Sequence, residues 1–173
     1  MRDKDTWAED AYDVLVEVAS RYHAVIEYSE LGEAVQLRTG VTTRMAIRNW
    51  IGGVLEVVVH RCAREGIPAL TSLVVRKDSG MVGEGYDAVL GAEGIPPLED
   101  VMQRENHAAL ARLECYRWAK APDLPPDGGR PALAPKLAAK TARERKAAPA
   151  RPAAVCPACN MAIPTTGRCD NCG

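Results

Sequence analysis

The sequence predicts an α+β, mainly helical core followed by a small cysteine-bearing module. Three observations lead there. Apolar residues recur at helical spacing over most of residues 7–120, interrupted by only two short β-branched runs. Charge divides unevenly: residues 1–127 carry 14 basic and 21 acidic side chains, whereas residues 128–173 carry 8 and 2. Four of the six cysteines crowd into the last 18 residues as two CxxC pairs.

Composition bounds the rest. With 173 residues, the chain is long enough for one domain with a small appendage. Aromatics make up 5% and phenylalanine is absent, so Val, Leu, Ile and Ala must fill the core. No apolar run approaches the length of a membrane span. The charged start, Met1-Arg2-Asp3-Lys4-Asp5, is unlike a secretory signal. The expectation is a soluble cytoplasmic protein without membrane contact.

The elements follow in order. Trp7 to Tyr22 places Trp7, Ala11, Val14, Leu15 and Val18 on one helical face. Ala24–Tyr28 is short and β-branched, a strand. Ser29 is then a candidate N-cap for a helix ending near Gly40. Thr42 or Thr43 can cap a third helix through Met45, Ile47, Ile51, Leu55, Val58 and Cys62 to Gly66, with Gly52-Gly53 as a weak point in its middle. Leu70–Val75 reads as a second strand, and Lys77-Asp78-Ser79-Gly80 as a turn. Gly83 and Gly85 open the next loop. A last helix from about Leu98 to Lys120 turns Met102, Leu110, Leu113 and Trp118 inward, which ends the core domain (1–120).

Residues 121–155 form a basic Ala/Pro-rich linker. Its 131–155 stretch holds 10 Ala, 4 Pro and no aromatic, too little to bury a core. A short helix over Lys136–Lys146 would put Lys136, Lys140 and Arg143 on one face, with Arg145 and Lys146 adding charge. A basic segment of this kind meets a polyanion or serves as a solvated tether.

Residues 156–173 read Cys156-Pro-Ala-Cys159, nine intervening residues, then Cys169-Asp-Asn-Cys172. Each CxxC turn can aim two sulfurs at one ion, and Asn160 and Gly173 tolerate the left-handed backbone that follows such a turn. Four thiolates make a closed tetrahedral site for one structural Zn2+, without an open position for catalysis. A redox dithiol pair or a four-thiolate iron centre would use the same residues. The segment resembles the zinc ribbon family, in which two such knuckles flank a hairpin, here at Pro164-Thr165-Thr166-Gly167. Zinc ribbons bind nucleic acid or protein, and the whole chain is similar to uncharacterised actinobacterial zinc-ribbon proteins.

The core's order of helix, strand, two helices, strand and glycine-bearing loop is that of a winged helix-turn-helix, with the third helix in the groove and the loop as wing. Ile26-Glu-Tyr28-Ser-Glu-Leu31, Thr43-Arg44-Met-Ala-Ile47 and Ile67-Pro68-Ala69-Leu70 resemble the DNA-binding domain of O6-alkylguanine-DNA alkyltransferases and their alkyltransferase-like relatives. The resemblance implies that Tyr28 contacts a DNA backbone and that Arg44 enters the helix, with Arg48 one turn on. Ala69 and Leu70 stand where the family's nucleophilic Cys and activating His would be, so no alkyl transfer is implied. Without the resemblance, Arg44 and Arg48 read as a solvated helix face, and His23, His60, His107 and Cys62 as structural or incidental.

The expected function is therefore non-enzymatic binding of nucleic acid, DNA first. An adaptor docking its ribbon on a larger machine such as polymerase or ribosome is the alternative. A nuclease or DNA-repair factor comes third, since no carboxylate pair has metal-binding spacing.

Overall fold

The computed structural model describes residues 2–147, 155–161, 163, 168–169 and 171–172. Six α-helices and one two-stranded parallel sheet make up the regular structure of these residues. The chain divides into two compact units, Met1–Lys140 and Thr141–Gly173. Among the described residues, no helix is long and apolar enough to cross a membrane.

The first unit is built on α1 (Arg2–Ala19). Its stripe of Trp7, Ala8, Ala11, Val14, Leu15 and Val18 is buried against the next two helices, as the spacing predicts. The strand expected over 24–28 is cut to β1 (Ile26–Glu27), because Glu27 rather than Ser29 caps α2 (Tyr28–Thr39). Glu30 accepts the Glu27 amide at 2.9 Å, one half of a capping box that draws Tyr28 into the helix. Gly40 ends α2 at φ 69°, its amide bonded to the Gln36 carbonyl.

The third helix starts later than the sequence suggests. Gln36 holds the Thr43 amide at 2.8 Å, and the Thr43 hydroxyl takes the Met45 amide. Residues 43–45 are thereby tied to α2 instead of opening a helix. A 3₁₀ turn (Ile47–Asn49) follows, and α3 (Ile51–Glu65) begins after Trp50. Trp50 packs against Trp7 with ring centroids 4.6 Å apart and planes tilted by 43°, while Trp7 donates to the Val41 carbonyl. Gly52-Gly53 falls in the first turn of α3, where helical hydrogen bonds are incomplete anyway.

The expected second strand is mostly a buried 3₁₀ turn (Leu70–Leu73), leaving only β2 (Val74–Val75). Ile26 pairs with Val74 and Glu27 with Val75, in parallel. After β2 the Arg76 amide closes a tight turn onto Met81, then a 3₁₀ turn (Glu84–Tyr86) runs into α4 (Asp87–Ala92). The antiparallel hairpin that a wing requires is not formed among the described residues.

Asp100 caps α5 (Val101–Trp118), accepting from the Met102 and Gln103 amides. Its inner face corrects the expected one. Met102, Leu110 and Trp118 are exposed, whereas Glu105, Ala108, Ala109, Arg112, Leu113, Cys115 and Tyr116 are buried. The chain then stays on the core past residue 120. Asp123 accepts the Tyr22 amide at 2.8 Å, the Tyr22 hydroxyl accepts the Arg130 amide, and Ala134 and Leu137 are buried. Residues 135–147 form α6 (Pro135–Ala147), slightly longer than the helix anticipated there.

Candidate metal centre, cationic helix and cavity

The four clustered cysteines converge. The Sγ atoms of Cys156, Cys159, Cys169 and Cys172 all lie within 4.8 Å of one another, and those of Cys159 and Cys169 are 3.5 Å apart. Sulfurs bound tetrahedrally at about 2.3 Å from one ion sit roughly 3.8 Å from each other, so the four thiols fit a single metal ion. All are free thiols.

The backbone explains the first knuckle. The Asn160 amide donates to the Cys156 carbonyl at 2.8 Å, and the Cys156 amide donates to Met161. Asn160 adopts φ 54°, the left-handed conformation its side chain tolerates. Backbone amides of Ala158 and Cys159 hold the Cys156 thiol below its ordinary range, and that of Met161 brings Cys159 to about 6. Hydrogen bonding to Cys159 pushes Cys172 up to about 11. Three of these cysteines are inner or half-buried and Cys172 is exposed. Gly173 and the hairpin at 164–167 lie outside the described residues. Cys62 and Cys115 are separate: burial raises both thiols, Cys115 to about 12, which leaves them inert.

The basic residues separate into two groups. Lys136, Lys140, Arg143, Arg145 and Lys146 are all exposed along α6. Lys136 differs from the others, because its ammonium donates to the Lys77 carbonyl. Arg44 and Arg48 are exposed but do not share a helix. Arg44 lies in the irregular segment before the 3₁₀ turn and Arg48 lies within that turn.

Tyr28 is half-buried and faces a cavity of about 580 Å³ that Arg48 also lines. Sequence reasoning missed this cavity, which draws on α3, the Leu70–Leu73 turn and the 82–88 segment. Gly83 and Gly85 in its wall, which read in sequence as loop punctuation, were the available signal. The Gly83 backbone lies against the Tyr28 hydroxyl, and a Cβ on Gly83 would lie 2.7 Å from its oxygen. Gly83→Ala should therefore destabilise the unit by about 1–3 kcal/mol in thermal denaturation, and Tyr28→Phe should relieve part of it. Another wall residue, Tyr86, shares a hydrogen bond with His107 Nδ1 at 2.9 Å, and His107 Nε2 lies 3.2 Å from Glu93. His107 is thus held at both ring nitrogens, in keeping with a structural rather than an incidental place.

Comparison with known proteins gives no match: no family model, curated protein or solved structure matches the chain.

Proposed function

We propose that the chain is a non-enzymatic nucleic-acid-binding protein whose contact surface is α6 and whose C-terminal module is a structural zinc ribbon. The observation that carries the reading is the run of exposed cations on α6, five basic residues against Glu144 alone. From Lys136 to Lys146 the helix advances about 15 Å at 1.5 Å per residue. Duplex DNA presents one charge per about 1.7 Å, so several cations can meet phosphates at once. The acidic balance of residues 1–127 confines the attraction to this segment.

Zinc is the metal that best suits four thiolates in two CxxC turns, and its role is to fold a segment too small to have a core. The order of elements supports the winged-helix reading of the first unit, whereas the parallel pairing and helical continuation after β2 weigh against it. In the proposed function Arg44 and Arg48 each neutralise one phosphate at most.

The test is affinity for generic duplex DNA across a salt series. Changing Lys140, Arg143, Arg145 and Lys146 together to Gln should weaken binding. It should also flatten log affinity against log salt by about 0.9 for every phosphate no longer neutralised. Arg44→Ala should shift the slope by about 0.9, the value of a single phosphate. Full-length protein without salt-sensitive binding to DNA or RNA at low ionic strength would overturn the reading in favour of a protein adaptor.

A further inference from the structure

The cavity of about 580 Å³ in the first unit is independent of α6 and of the cysteines. Its volume falls within the range of small-molecule sites, and aliphatic side chains such as Ile51, Leu55, Val59 and Val82 supply most of its wall. The charged residues around it balance: Arg48 and Arg76 against Glu56 and Glu84. Two of the four already have partners, Arg76 at Asp78 and Glu56 at Lys4. Such a lining has no preference for an ion of either sign.

The hydroxyls of the wall are also accounted for, with one exception. Tyr86 is bonded to His107, and the Tyr28 hydroxyl is covered by the Gly83 backbone. Thr71, only 8% exposed, has a fully buried hydroxyl with no hydrogen-bond partner. A buried hydroxyl left unpaired costs free energy that a suitable ligand group recovers. A turn of about 120° about χ1 carries a threonine hydroxyl into the place of its methyl group, the methyl taking that of the Cβ hydrogen, so a ligand can recruit Thr71 without backbone movement.

We propose that this cavity binds a small, uncharged, largely apolar ring compound carrying one hydrogen-bonding group, which pairs with the Thr71 hydroxyl. The apolar walls supply affinity and Thr71 supplies selectivity.

A near-isosteric pair of probes tests this on the full chain: 2-naphthol, neutral at pH 7, and 2-methylnaphthalene. Binding is followed by saturation-transfer NMR and titration calorimetry. The wild type should bind both, with 2-naphthol favoured by about tenfold, the worth of one net hydrogen bond. Thr71→Val should keep 2-methylnaphthalene binding and erase the preference. Gly52→Trp should abolish binding of both probes. Gly52 lines the cavity and a Cβ there meets nothing within 4 Å, so a side chain can leave the backbone there without a clash. The substitution also replaces a helical glycine, and an unchanged melting transition would show that the fold is kept. Three results would overturn the proposal: no binding of either probe to wild type, binding unaffected by Gly52→Trp, or the same preference in Thr71→Val as in wild type.

Discussion

Cys159→Ser is expected to abolish the zinc binding proposed for the four cysteines and to unfold the C-terminal module (155–173), while the Met1–Lys140 unit keeps its own melting transition. Cys159 sits at the centre of the cluster, 3.5 Å from Cys169 Sγ, with its thiol already favoured as thiolate by the Met161 amide. A serine oxygen there is a poor ligand for a soft thiolate site. Among its described residues little else holds the module: beyond the cysteines they include the exposed Val155 and Met161. On the zinc reading proposed above, its folding free energy would come from metal binding, on the order of 10–16 kcal/mol for comparable small zinc modules. The first unit, by contrast, buries its own continuous core from Trp7 to Tyr116. Elemental analysis should find one zinc per wild-type chain and clearly less in the variant. Amide NMR should show collapse of dispersion confined to the C-terminal module. A wild-type chain purified without chelator yet lacking an equivalent of metal would refute the zinc reading.

The convergence of the four cysteines was legible because its information is local. Two residues between cysteines fix the bite of each knuckle, and Asn160 at φ 54° is the backbone signature of that turn. Glycine stops were equally plain, since Gly40 and Gly66 both end helices in the left-handed region. Helix starts were less so. At residues 27–30 a glutamate pair competes with Ser29 as the cap, and only the reciprocal reach of Glu27 and Glu30 decides it. Leu70–Val75 was misjudged for a different reason. A buried run of Leu and Val satisfies a strand and a 3₁₀ turn alike, and periodicity cannot separate them in six residues.

The cavity left no signal in the sequence beyond Gly83 and Gly85, since Tyr28, Arg48, Thr71 and Gly83 come from four separate stretches of chain. Of the inner face expected for α5 only Leu113 is buried, because apolar side chains were assigned to the core and charged ones to solvent. Glu105 and Arg112, seven residues apart, share a helical face that is buried, while Met102 and Leu110 point outward. Only the tertiary partners of that pair reveal why.

Those partners make the Glu105–Arg112 pair the site of the largest expected stability effect in the first unit. The two side chains are 1% and 2% exposed, with Nη2 and Oε2 3.4 Å apart. Glu105 also accepts the Val82 amide, and Arg112 donates to the Ser72 carbonyl at 3.3 Å. The pair therefore fastens α5 to the Leu70–Leu73 turn and to the loop beyond β2. Arg112→Met leaves the Glu105 carboxylate buried without its countercharge, a loss of about 3–5 kcal/mol. Against a total stability of roughly 5–15 kcal/mol, that should lower the melting temperature by about 10–20 °C. Glu105→Leu alone strands the guanidinium and should cost a similar amount. The double variant Glu105→Leu/Arg112→Met removes both charges and should be less destabilised than the two single losses added together. It should not reach wild type, because the Val82 amide and the Ser72 carbonyl lose their partners at about 1–3 kcal/mol each. Urea denaturation of all four proteins closes the cycle. Strict additivity would show that the two side chains act separately, and that the loop and turn are held by packing rather than by the charge pair.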